Sequence, residues 1–160
     1  MRSISKAAQK VMEKLIGGLK EPGDHAKFDN ASGSYMPVSV NVLYQLKEGL
    51  VISVAHLGKQ NGDSMADPDI EILYSKYIGT FYPISYRNDY LGKNSCYVKF
   101  NEEGDSIRGF YKKQQKDLAI FVGTWMKNIK DQQNLCLKKE IKEIKEIKEI
   151  KEDTFFWYYA

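Results

Sequence analysis

Apolar and polar positions recur in different rhythms along this 160-residue chain, and each rhythm predicts an element. From Ile4 to Leu19 the residues Ile4, Ala7, Ala8, Val11, Met12, Leu15, Ile16 and Leu19 return at steps of three and four, which lays one apolar stripe along a helix. Ser3 or Ser5 can cap its start. Gly17-Gly18 weakens its last turn, and Glu21-Pro22-Gly23-Asp24 ends it because proline cannot donate to a continuing helix. His25 to Tyr35 has no periodicity and reads as a loop. The rhythm then shortens to two. Val38, Val40, Val42, Tyr44 and Leu46 alternate with their neighbours, Lys47-Glu48-Gly49 offers a turn, and Leu50 to Leu57 alternates again, which predicts an antiparallel hairpin. Ile70 to Tyr74, Phe81 to Tyr86 and Ser95 to Phe100 read as further strands. Gln114 to Leu137 returns to helical spacing through Leu118, Phe121, Val122, Trp125, Met126 and Ile129, with Phe121 and Trp125 expected to anchor the core. The fold class expected is α+β, a meander sheet of about five antiparallel strands packed against an N-terminal and a C-terminal helix.

The tail follows neither rhythm. Lys139 to Glu152 repeats Lys-Glu-Ile with period three, so its isoleucines drift by about 60° per step around a helix and form no coiled-coil seam. It is expected to extend the preceding helix and fray. Phe155-Phe156-Trp157-Tyr158-Tyr159 is apolar enough that it is expected to dock on the body, pair with another chain or promote aggregation, self-association through this end being one of these outcomes. The domain expectation is therefore one α+β unit over 1–137, with 138–160 as an appended helix and aromatic end.

Composition narrows the function classes only modestly. A net charge of +3 permits nucleic-acid binding without indicating it. Cys96 and Cys136 have no zinc spacing and make no disulfide framework, so a reducing, cytoplasmic setting is the simpler expectation. No apolar run approaches the ~20 residues that span a bilayer, and Lys10, Glu13 and Lys14 stand where a signal peptide needs its apolar stretch, which predicts a chain with no membrane partner.

Candidate chemistry concentrates between His56 and Asp69, read as a turn-rich loop between two strands. Gln60-Asn61-Gly62-Asp63 is a strong turn signal, and Asp67-Pro68-Asp69 restarts the chain in an extended course. Turn chemistry alone accounts for these residues. A second account gives His56, Asp63, Asp67 and Asp69 to a divalent cation, manganese or magnesium being favoured by carboxylate ligands, although the spacing matches no EF-hand. His56 with Asp63 as a general acid–base pair lacks a companion nucleophile, so the chain reads more readily as a non-enzyme that needs no cofactor than as the alternative, a manganese- or magnesium-dependent enzyme using the stretch His56 to Asp69. A third account makes Gln60, Asn61 and Asp63 a recognition surface for a protein partner. Lys112, Lys113 and Lys116 with Arg108 would be the basic patch of a nucleic-acid module, and their ordinary reading is a solvated helix entrance.

Pro37-Val38-Ser39-Val40, Ile52-Ser53-Val54-Ala55-His56 running into Gln60-Asn61-Gly62-Asp63-Ser64-Met65-Ala66-Asp67-Pro68-Asp69, and Pro83-Ile84-Ser85-Tyr86-Arg87-Asn88-Asp89-Tyr90-Leu91-Gly92 together resemble an uncharacterised family of small domains. The family occurs largely in Gram-positive bacteria, their phages and conjugative elements, and carries a His-x-x-x-Gln-Asn-Gly-Asp-x-Met-x-Asp-Pro core. The resemblance covers about Pro37 to Trp125. Leu57, where members often carry an aromatic residue, and Lys59, where they often carry an acidic one, depart from the pattern. The resemblance implies a mobile-element setting and no known activity. By association it implies an inhibitor or adaptor whose partner is a host nuclease, a DNA-processing complex or another defence protein. The contact surface expected is the stretch His56 to Asp69 together with the loop Arg87 to Lys93, which adds Arg87, Asn88 and Asp89.

Overall fold

The stripe near the N-terminus folds as helix α1, Lys6–Ile16, shorter at both ends than its periodicity suggests. Ser5 is the cap, its Oγ accepting from the Ala8 N–H at 3.2 Å, and Gly17 closes the helix at a positive φ of 52° that favours glycine, its N–H donating to the Glu13 carbonyl at 3.0 Å. Ile4 belongs to an extended lead-in whose N–H donates to the Phe81 carbonyl at 3.0 Å, so its side chain is buried without being helical. Helix α2, Lys112–Gln132, lies beside α1. The computed structural model describes residues 1–31 and 33–136, so the expected repeat helix and aromatic end lie outside the described residues, as does Leu137.

Among the described residues eight strands lie between the helices in sequence: β1 His25–Phe28, β2 Val38–Leu46, β3 Gly49–Gln60, β4 Asp63–Ser75, β5 Thr80–Asn88, β6 Lys93–Cys96, β7 Val98–Phe100 and β8 Ile107–Phe110. The first six form one antiparallel sheet in chain order, and the last two form a separate ribbon. The α+β meander with its two helices is thus as the alternation implies, with two corrections. The segment from His25 is not all loop: its first four residues are an edge strand paired from His25↔Asn41 to Phe28↔Val38, too short to declare a period. Ser95 to Phe100 is not one strand. Tyr97 interrupts it, donating its N–H to the Ile84 carbonyl at 2.8 Å, and the chain crosses from the main sheet to the ribbon there.

Alternation along the strands sorts side chains onto two faces. Val38, Val40, Val42, Ile52, Val54, Ile70, Ile72 and Phe81 face both helices and join Met12, Leu15, Val122, Trp125, Met126 and Ile129 in the larger core. The opposite face carries Val51, Leu73 and Ile84, which the ribbon covers through Val98, Phe100 and Ile107. Burying each of these larger side chains contributes about 1.5–3 kcal/mol. Phe121, expected in the core, is instead 43% exposed, because the α2 stripe centred on Val122 and Trp125 turns it toward the rim. Two buried glutamines clip the periphery to α2. Gln115 accepts from Arg2 N–H at 2.7 Å and donates to the carbonyls of Arg2 and Pro83. Gln133 accepts from Asn30 N–H at 2.8 Å and donates to the Met36 carbonyl at 3.1 Å.

The turn from β2 to β3 is made by Lys47-Glu48, with Leu46 opposite Gly49. Gly49 sits at φ 155°, and a β-carbon there would overlap the Tyr74 carbonyl oxygen of the next strand. Among the described residues no helix is long and apolar enough to cross a membrane.

Candidate functional site

A meander of this order brings alternate connections to the same end of the sheet. The β1–β2 connection, the β3–β4 turn and the β5–β6 turn share one end, and most sequence-selected residues sit there. The stretch His56 to Asp69 is not a loop. Strands β3 and β4 run through it, paired from Leu57↔Ala66 to Gln60↔Asp63, and only Asn61-Gly62 turns. Both turn residues have positive φ, 52° and 85°, the mirror-image geometry that asparagine and glycine tolerate and that matches strand twist. The result is a hairpin arm whose tip exposes Gln60, Asn61, Gly62, Asp63 and Ser64.

The base of the arm carries a register shift between Ala55 and Leu57, where Asp67 and Pro68 together face His56. His56 is 7% exposed on the helix side, and its Nδ1 accepts from the Trp125 indole N–H at 3.1 Å. A neutral imidazole that accepts at Nδ1 carries its proton on Nε2, and that buried Nε2 has no hydrogen-bond partner among the described residues. Burial pushes the imidazole below its ordinary range, with the nearby Asp67 charge opposing in part. Asp67 is itself held: its Oδ1 accepts from the Asn88 amide at 2.7 Å. The same amide group lies 3.3 Å from the Tyr86 hydroxyl, while Asn88 Oδ1 accepts from Leu91 N–H at 3.2 Å. Asn88, buried at the end of β5, thus joins the arm to the β5–β6 turn.

On the other side Asp69 accepts from the Ser53 hydroxyl at 2.6 Å and lies 3.6 Å from the Arg87 guanidinium. Arg87 also pairs with Asp89 at 3.3 Å, and Asp89 Oδ2 accepts from Ala66 N–H at 2.8 Å. The Asp89 N–H returns a bond to the Ala66 carbonyl at 2.9 Å, so the β5–β6 turn is stitched to the arm by main chain as well. The expected pairing of the two segments is therefore present. Six of the nine selected residues fall into two groups, His56, Asp67 and Asn88 in one and Asp69, Arg87 and Asp89 in the other; Gln60, Asn61 and Asp63 occupy the tip.

The four proposed metal ligands are not brought together. Among the described residues no three His, Cys, Asp or Glu side chains group as a metal site. Asp63 is at the exposed tip, Asp69 faces Ser53, and His56 faces Trp125, because a pleated strand sends alternate side chains to opposite faces.

Sequence reasoning missed the partners that give this end its shape. Helical spacing marks Trp125 as core and gives no sign that its N–H reaches His56. The aperiodic β1–β2 connection carries no mark of a surface, yet Tyr35 is 51% exposed there. A groove of about 480 Å³ runs between that connection and the arm, lined by Tyr35, Met36, Pro37, Leu57, Gly58 and Lys59. Tyr90, 45% exposed, places its hydroxyl against Gly58 where a larger side chain would stand, and Leu91 beside it is 72% exposed.

A family model described as "Domain of unknown function (DUF6908)" matches residues 6–135. No curated protein and no solved structure matches the chain.

Proposed function

The chain belongs to this family of unknown function, and from its geometry we propose a non-enzymatic interaction protein that binds a protein partner with the arm end of its sheet. The observation that carries the reading is the division of labour at that end. The polar side chains at the base are engaged with one another and fix the arm, while Tyr35 lines the groove and Tyr90, Leu91 and the polar tip from Gln60 to Ser64 are exposed at the same end of the sheet. Rigid aromatic side chains with a polar rim are what protein interfaces use, since they contribute contact area with little entropy left to lose. The internal hydrogen bonds of Asp67, Asp69 and Asp89 support positioning better than they support turnover or manganese or magnesium binding.

The resemblance to domains of Gram-positive bacteria, their phages and conjugative elements supports a mobile-element setting. In that setting the chain acts in the cytoplasm as an inhibitor or adaptor of a host nuclease, a DNA-processing complex or another defence protein. The test is affinity capture from several such hosts with wild type and an Asp63→Arg, Leu91→Arg double variant, both sites being exposed. One reproducible partner lost in the double variant, with its melting temperature unchanged, is the expected result; equal capture by both proteins would refute the placement of the surface.

A further inference from the structure

We infer that a second surface, remote from the arm tip in sequence and built where β6 and the ribbon meet the start of α2, binds single-stranded nucleic acid. Phe121 raises the question, because 43% of it stays exposed at the rim of α2 although its ring stacks on Trp125, centroids 6.4 Å apart. It stands edge-on to Tyr86, ring centroids 6.0 Å apart, and Tyr86 in turn lies under the Lys93 ammonium at 5.5 Å. These three, with Tyr97 and Leu118, line a groove of about 260 Å³. That volume is below the ~300–1,000 Å³ of pockets that enclose drug-sized ligands, so it suits one planar ring inserted from a larger molecule.

The arrangement repeats alongside. Tyr111 N–H donates to the Tyr97 carbonyl at 2.9 Å, which ties its backbone to that of a groove residue, and Lys99 lies over the Tyr111 ring at 5.2 Å. Tyr111 also opens α2, whose first turn holds Lys112 and Lys113 and no acidic residue. Lys116 follows one turn on. The carboxylate in the groove wall, Asp117, is paired with Lys113 at 3.2 Å, so the rim keeps an excess of positive charge. Aromatic rings interleaved with lysines on an open groove are the chemistry of a single strand, whose bases stack on rings while phosphates meet the ammonium groups. A duplex offers phosphates but no free base faces, and an acidic peptide offers charge without a stacking partner.

The test is fluorescence anisotropy of the full chain with a labelled oligothymidine of ~12 nucleotides, a matched duplex and an acidic peptide, over a salt series. The expected result is preference for the single strand, affinity that falls steeply with salt, and about tenfold weakening in Phe121→Ala. Lys93→Ala and Lys99→Ala should each weaken binding and flatten the salt slope by about 0.7. Lys127→Ala, on another side of α2, should change nothing, and circular dichroism establishes that each variant is folded. Absence of binding at ~100 mM salt would overturn the inference. So would equal affinity for the duplex or the peptide, or binding indifferent to Phe121→Ala.

Discussion

His56 shows how one residue links the two halves of the molecule. Its Nδ1 accepts the Trp125 N–H across the sheet–helix boundary, and burial holds the ring neutral. Because the folded state binds this proton less readily than the unfolded chain, stability is complete above the ordinary histidine value of 6.5 and is lost as pH falls below it. Unfolding free energy should therefore decline as pH falls below about 6.5, with a slope from this residue of at most ~1.4 kcal/mol per pH unit, and the melting temperature should fall with it. His56→Asn, which keeps an acceptor and loses the titration, should flatten that slope; an unchanged slope would remove His56 as its cause. Gly49 makes a second residue-scale prediction. Gly49→Ala forces a β-carbon toward the Tyr74 carbonyl at an unfavourable φ and should destabilise by about 2 kcal/mol or more in urea titrations.

At the scale of elements, the arm persists because its base is tied to neighbours that the sequence separates widely. Gln133, fully buried, holds both ends of the β1–β2 connection; Gln133→Ala would strand the Asn30 N–H and Met36 carbonyl and should cost about 2–4 kcal/mol by chemical denaturation. Gly58→Ala has a different signature. Its β-carbon meets the free end of the Tyr90 side chain, which can swing away, so stability should hold while partner capture weakens. The helices and the β2–β3 hairpin were legible in the sequence because each writes its period over eight or more residues. Edge strand β1 spans four residues and the β6–β7 switch turns on one main-chain hydrogen bond at Tyr97, so neither leaves a period to read. The Asn61-Gly62 turn was legible through positive-φ chemistry. The strands that continue through His56 to Asp69 were hidden, because polar residues replace the apolar alternation there, Asp67 and Asp69 meeting partners on neighbouring strands and Gln60, Asp63 and Ser64 facing solvent.

On the scale of the whole molecule the sheet separates two tasks. One face is apolar and packs on both helices; the other is part ribbon-covered and part polar, with Ser53, Asp69 and Arg87 along it. The candidate site was legible as a list of residues and not as an arrangement, since spacing along a strand does not say which face a carboxylate takes until register is known. Register divided the proposed metal quartet and joined Asn88 and Asp89 to the arm. The central claim is that this end of the sheet is the protein-binding surface. Its most direct measurement is site-specific photo-crosslinking in host lysate, with the crosslinker at Leu91 or Asp63 in one set and at Lys10 on the exposed side of α1 in the other. The account predicts one discrete adduct shared by the Leu91 and Asp63 positions and absent at Lys10. An adduct at Lys10 with none at the arm end would contradict it.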